Sequence, residues 1–273
     1  MTDDFQDLEL QLLMDAVKAR YGYEFAHYAR ASMMRRIRKH MEAAKTDRIS
    51  DLIPLFIHNK AAFAHFVKDM SVTVTEMFRD PDFFQALRKS IVPLLKTFPF
   101  IKIWHAGCAT GQEAYSMAIM LDEENLLERC QIYATDFNEN SLKIARSGIY
   151  PDADLALYQE NYSKSGGCKS LDQYCSRGYD SIKFNGRLTE HITFANHNLV
   201  SDGVFGEMNL ILCRNVLIYF NNELQDRVLK LLIDSLRSRG ILCLGRRENI
   251  RFSEAAGLLE TVDRHQRIFR KKA

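Results

Sequence analysis

The sequence predicts an α/β chain in which an all-helical segment precedes a doubly wound, largely parallel sheet. Three observations predict it. Up to about residue 100 apolar residues recur at helical spacing and no strand-like alternation appears. Beyond that point short apolar runs alternate with helical patterns, the signature of βαβ units. The first of these runs is followed at once by a turn of small residues and then a helix.

Taken in order, Leu8, Leu12, Leu13 and Val17, and later Phe56, Phe63, Phe66 and Val67, predict helices over residues 5 to about 92. Residues 30–40 read as one helix. Met34, Ile37 and Met41 form its apolar stripe, and Arg35, Arg36, Arg38 and Lys39 spread over the remaining surface. Residues 101–105 read as the first strand, with a helix after the turn running through Met120. A second strand, 131–135, ends on Asp136 and gives way to a helix beginning near Asn140. Residues 192–195, 209–213 and 240–245 read as further strands, with a helix over about 222–238, and 267–270 closes the sheet. The glycine-punctuated stretch between Tyr150 and His191, about 155–190, reads as an inserted loop or small β element outside the core. The predicted domains are 1–75, helical, and 76–273, carrying the sheet.

The 273 residues, 47% of them hydrophobic, suffice for a large core or two smaller ones. A formal charge of +2 is too mild for a nucleic-acid protein, so any basic function is local. Six cysteines form no C-x-x-C pair, and the nearest pair, Cys168 and Cys175, has no histidine to complete a zinc site, so no metal is expected. The acidic N-terminus and the absence of an 18-residue apolar run predict a cytoplasmic protein without membrane insertion.

A doubly wound sheet binds ligands at the carboxyl ends of its strands. After the first strand, residues 106–111 are small and let the backbone approach a ligand. Their spacing, Gly107 to Gly111 with Ala109 between, is not the G-x-G-x-x-G of a dinucleotide site. Asp136, ending the second strand, is placed to accept hydrogen bonds from two ribose hydroxyls, although a helix cap or turn also favours Asp there.

Four motifs, in order along nearly the whole chain, resemble the chemotaxis receptor methyltransferase family, the CheR-type protein-glutamate O-methyltransferases. Residues 73–79, Thr-Val-Thr-Glu-Met-Phe-Arg, are similar to its N-x-T-x-F-F-R segment. Residues 104–116 are similar to W-S-A-x-C-S-T-G-E-E-P-Y-S. His197-Asn198-Leu199 and residues 213–220, Cys-Arg-Asn-Val-Leu-Ile-Tyr-Phe, complete the set.

The resemblance implies a class I S-adenosylmethionine methyltransferase, a Rossmann-like doubly wound sheet, with an N-terminal all-α domain and a small β-subdomain insertion. It implies S-adenosyl-L-methionine as cofactor and S-adenosyl-L-homocysteine as product. Thr73, Thr75 and Arg79 then contact the cofactor from the linker and Gly107 lies in its turn. Glu113 binds the methionine amine and Asp136 the ribose. Asn198 and Leu199 border the adenine, and Asn215 and Val216 line the pocket. Tyr219 stands near the transferred methyl, and the Arg79 guanidinium suits a carboxylate, either the cofactor's or the substrate's.

The implied partner is the cytoplasmic domain of a methyl-accepting chemotaxis receptor, met by the basic helix through Arg35, Arg36, Arg38 and Lys39. The family's β-subdomain grips a receptor tether in some members. The enzyme is expected to be a monomer. Within the second motif Gln112 and Ala114 are mild departures. A larger one is Arg247, where the family commonly has G-x-S-E and this chain reads Gly245-Arg-Arg-Glu. Two alternatives stay open: a methyltransferase of the same fold with another acceptor, and a non-catalytic adapter that binds cofactor or receptor. Against an amine-directed enzyme, the fourth strand is followed by Arg214-Asn-Val-Leu and not by an N-P-P-Y-like turn.

Overall fold

The computed structural model describes residues 2–70, 75–250 and 253–273, with side chains from Phe5 onward. The chain divides into two compact units, Met1–Val72 with Ile218–Arg227, and Thr73–Leu217 with Val228–Ala273.

The first unit holds helices α1 (Thr2–Tyr21), α2 (Arg30–Ala44), α3 (Leu52–His58) and α4 (Lys60–Met70). Leu13, Val17, Ile37, Leu52, Phe56 and Phe66 are buried in its core, with the Phe56 and Phe66 rings stacked at 4.7 Å. Leu13, Val17, Ile37, Phe56 and Phe66 are among the residues whose helical spacing predicted the segment, whereas Leu8 and Leu12, from the same pattern, are exposed. Residues 218–227 return to this unit by backbone hydrogen bonds: Ala29 N–H donates to the Tyr219 carbonyl (2.8 Å) and Asn221 N–H to that of His27 (2.9 Å).

The second unit opens with α5 (Pro81–Ala86), a π-helical turn at Leu87–Ile91 and α6 (Val92–Leu95). Strand β1 (Ile101–Ala106), α7 (Gln112–Glu123), β2 (Cys130–Asp136) and α8 (Glu139–Ser147) form the predicted βαβ start. The insertion is a three-stranded antiparallel sheet of β3 (Ile149–Pro151), β4 (Cys175–Arg177) and β5 (Ser181–Phe184), with α9 (Leu155–Lys164) between β3 and β4. A cavity of about 340 Å³ lined by Asp152, Leu155, Gln159, Asp172 and Arg177 opens there; no predicted site residue lines it.

After α10 (Gly186–Thr189) come β6 (Ile192–Asn196), β7 (Met208–Cys213), α11 (Asn222–Asp234), β8 (Leu236–Leu244), β9 (Leu259–Asp263) and β10 (Ile268–Lys271). The seven-stranded order is β6-β2-β1-β7-β8-β10-β9, parallel from β6 to β8 and antiparallel at β10 and β9. Strand β7 is buried along its whole length, as a central parallel strand covered on both faces must be.

Two strand features differ from the sequence expectation. Strand β8 starts at Leu236, inside the stretch read as helix, because Leu236 pairs with Met208 at the start of β7. Strand β9 was not expected; three of its five residues are exposed, so it carries no apolar period. Burial pushes the thiols of Cys108, Cys213 and Cys243 up, and these behave as small apolar side chains. Among the described residues no helix is long and apolar enough to cross a membrane.

Candidate active site

Strands β6, β2, β1 and β7 run parallel, so their carboxyl ends lie along one edge of the sheet. The turn after β1 is held there by Gly107 and Cys108, whose N–H groups both donate to the Thr135 carbonyl at 2.8 Å. Within it Gly107, Ala109 and Gly111 all have positive φ, at 79°, 49° and 93°. A Cβ on Gly107 would lie 2.6 Å from Cγ2 of Val216. Glycine is therefore required twice there, by conformation and by space.

Asp136 closes β2 and is buried. Its Oδ2 accepts the Ala109 N–H (2.9 Å) and its Oδ1 the Asn138 N–H (2.8 Å). Burial raises its pKa, and backbone N–H groups of Asn138, Ala109 and Phe137 oppose the rise. A carboxylate offers about four acceptor positions, so both oxygens keep capacity for hydroxyl donors. The His197 N–H donates to the Asp136 carbonyl (3.3 Å), bringing Asn198 and Leu199 to the end of the same strand. Asn198 is turned onto its own loop, where Oδ1 accepts the Val200 N–H (3.0 Å).

On the other side of β1, Glu113 lies in the first turn of α7. Its Oε1 accepts from Nδ1 of His105 (2.9 Å) and its Oε2 from Nη1 of Arg214 (2.7 Å). Burial works against the Glu113 charge, but Arg214 and the His105 hydrogen bond outweigh it and hold the carboxyl at about 2. Arg214 also donates from Nη2 to Asp80 (2.6 Å), with its guanidinium carbon 3.9 Å from the centre of the Phe83 ring. The Arg214 side chain is 2% exposed, so two carboxylates around it leave a partly buried cluster one negative charge in excess.

A second clamp holds the loop after β7. Glu248, buried, accepts the N–H groups of Val216 and Leu217 (both 2.8 Å), Asn215 (3.1 Å) and Gly245 (2.5 Å). Asn215 has a positive φ of 61°, a conformation asparagine tolerates better than most residues.

The structure thus brings Gly107, Glu113, Asp136, Asn198, Leu199, Asn215 and Val216 to the ends of four adjacent strands. Thr73 lies outside the described residues. Thr75 and Arg79 are half-buried in the segment leading to α5. Arg79 sits between Phe78 and Asp80, both at positive φ, and its carbonyl accepts from Arg214 at 3.5 Å. The two aspartates near it in sequence are taken elsewhere, Asp80 by Arg214 and Asp82 by Arg246. Tyr219 belongs to the first unit, where the Arg36 guanidinium lies 5.3 Å from its ring centre.

The basic helix needs correction. Arg36 is only 6% exposed; its Nε donates to the Asp69 carbonyl (2.8 Å) and Nη1 to the Ser32 carbonyl (2.9 Å). It therefore belongs to the interior of its unit and not to a docking face. Lys39 is exposed but paired with Asp69 at 2.9 Å, and Arg35 and Arg38 are exposed on the surface of α2. Arg247 is exposed, so this departure stands outside the clamp that Glu248 makes.

Sequence reasoning missed His105, Asp80, Arg214 and Glu248. The first and last had a readable signal. His105 stands where the family motif has serine, and Glu248 closes the Gly245-to-Glu248 motif in which Arg247 is the departure.

Such a sheet, with small residues after its first strand and an acid at the end of its second, defines an α/β domain that binds a nucleoside cofactor, and the residues fit S-adenosylmethionine. Asp136 supplies acceptors for hydroxyls, the close Gly107 turn admits a ligand to the backbone, and the negative cluster at Glu113, whose side chain keeps 18% exposure, suits an ammonium. Residues 73–266 match the family model described as CheR methyltransferase, SAM binding domain, and residues 8–71 match CheR methyltransferase, all-alpha domain. The chain belongs to the CheR methyltransferase family.

It is 45% identical to a Pseudomonas putida protein provisionally named methyltransferase Cher3, over 97% of each chain. It is 30% identical to chemotaxis protein methyltransferase 2 of Pseudomonas aeruginosa, covering 72% of this chain and 70% of that one. With the chemotaxis protein methyltransferase of Listeria innocua it shares 28% identity, over 86% and 87%. The chain thus carries the S-adenosylmethionine-binding domain of a methyltransferase together with that family's all-alpha domain.

Proposed function

We propose that this enzyme methylates glutamate side-chain carboxylates on the cytoplasmic domain of a methyl-accepting chemotaxis receptor, forming glutamate methyl esters. One observation supports a carboxylate acceptor. Among the described residues, each acid at the strand ends is already engaged: Asp80 and Glu113 by Arg214, Asp136 and Glu248 by backbone N–H groups. None stands ready as a general base. A glutamate acceptor needs none, because it arrives ionised at neutral pH.

The bound cofactor supplies an electrophilic methyl on a sulfonium. The chain's task is then to hold, align and keep water out. Asp136 holds the ribose hydroxyls and Glu113 the amine, while Asn198 and Leu199 border the adenine and Asn215, Val216 and Gly107 shape the wall. Thr75 and Arg79 contact it from the segment that leads to α5. Tyr219, as a phenol, orients the incoming carboxylate by donating a hydrogen bond, and Arg79 balances its charge. Because the accepting carboxylate is already ionised, no residue of the chain would have to take or give a proton in that transfer. Exposed Arg35 and Arg38 steer the acidic receptor region toward the enzyme.

The test is transfer of labelled methyl from S-adenosylmethionine to receptor-containing membranes. Label released as methanol by mild alkali is expected; label stable to alkali would show that the acceptor is not a carboxylate.

A further inference from the structure

His105 and Glu113 are the two ends of the cofactor turn. His105 is the fifth residue of β1, Glu113 the second residue of α7, and between them lie the three positive-φ residues Gly107, Ala109 and Gly111. The hydrogen bond from His105 Nδ1 to Glu113 Oε1, at 2.9 Å, therefore ties the turn across its base. The donor is Nδ1–H, since an ionised carboxylate only accepts. His105 is 1% exposed, and its Nε2 is buried with no hydrogen-bond partner. An imidazole turned this way in the core is selected by the one bond it makes.

Without His105, Glu113 and Arg214 would favour the parallel two-bond pairing that guanidinium and carboxylate prefer, which draws both oxygens to the arginine. In the structure the oxygens are divided. His105 takes Oε1, Arg214 takes Oε2 through Nη1 alone, and the other arm of Arg214 goes to Asp80. Each Glu113 oxygen keeps acceptor capacity at a fixed position.

We propose that His105 is a positioning residue: it acts through Glu113 to set affinity for the α-amino end of the cofactor and leaves the adenosine end unaffected. The proposal rests on reading Glu113 as the carboxylate that receives the amine. His105 neither touches the reacting atoms nor carries a proton in the reaction.

Calorimetric titration of the full chain with two probes tests it. S-adenosylhomocysteine carries the amino-acid end, and 5′-methylthioadenosine has the same nucleoside and sulfur without it. For His105→Ala the expected result is a loss of about tenfold for S-adenosylhomocysteine, the worth of one well-aligned charge-assisted hydrogen bond, and a change of less than twofold for methylthioadenosine. His105→Asn, which restores an N–H near Nδ1, should regain most of the loss and covers the case in which the alanine variant folds poorly. Asp136→Asn should weaken both probes. Equal weakening of both by His105→Ala, or of neither, overturns the proposal. Glu113→Gln tests the underlying reading separately: if it fails to discriminate between the probes, Glu113 is not the amine site. If it discriminates and His105→Ala does not, only the positioning role falls. In the Glu113→Gln background His105→Ala should have no further selective effect; a full additional tenfold loss would also overturn the coupling.

Discussion

Gly107 and Val216 approach so closely that a methyl group on Gly107 would lie 2.6 Å from Cγ2 of Val216. The turn after β1 and the loop after β7 are thereby locked to each other, and the wall of the proposed cofactor site is set by a glycine on one strand end and a branched side chain on the next. Gly107→Ala should lose stability by about 2–4 kcal/mol, part from the positive φ and part from the overlap, together with most cofactor affinity. Adding Val216→Ala removes the overlap and not the φ cost, so urea unfolding of the double variant should recover only part of the loss. Full recovery would mean that backbone conformation contributes nothing.

Glu248 gathers the N–H groups of three consecutive residues, Asn215 to Leu217. Glu248→Gln replaces one acceptor oxygen by a donor facing donors, and should cost about 2–4 kcal/mol by chemical denaturation. Cofactor affinity should fall with it, since Asn215 and Val216 lose their support. A variant as stable as the parent would show that Glu248 does not clamp the loop.

Glu113 titrates at about 2 in the folded chain against an ordinary value of 4.5. Its folded pKa is depressed, so the ionised form stabilises the fold above about pH 4.5, and that contribution is lost as the pH falls toward 2. Glu113→Gln should be less stable at pH 7 by about 3 kcal/mol, the order expected when one partner of a buried pair is removed. The two proteins should converge between pH 5 and 2. Stability curves that stay parallel down to pH 3 would count against the assignment.

On α2 the charges divide by burial. Arg35→Ala with Arg38→Ala should raise KM for receptor several-fold without changing kcat or S-adenosylhomocysteine affinity, and 0.5 M salt should erase most of the difference. Arg36→Ala should instead lower the melting temperature, because it strips donors from the Ser32 and Asp69 carbonyls. An unchanged melting temperature would return Arg36 to the docking face.

The helix-then-sheet order, the βαβ start, the close turn at Gly107 and the acid at Asp136 were legible because each is a local matter. Periodicity, strand length and glycine spacing report on residues a few positions apart. The same locality explains what was misread. Arg36 sits in a run of charges whose neighbours Arg35 and Arg38 are exposed, and its bonds to the Asp69 and Ser32 carbonyls, with Tyr219 beside its guanidinium, show which of them turns inward. Strand β9 has no apolar period because its pairing with β10 supplies what its side chains do not.

By itself, then, the sequence determined that a small-residue turn and an acid would stand at adjacent strand ends, since chain order and right-handed crossover put them there. Tertiary structure decided what surrounds them. Arg214 lies 101 residues from Glu113 and 134 from Asp80, yet a single buried guanidinium joins the two. Glu248 reaches across 33 residues to hold Asn215. Such partners are chosen by burial: a charge withdrawn from water must find its opposite in space, and no spacing along the chain records where that will be.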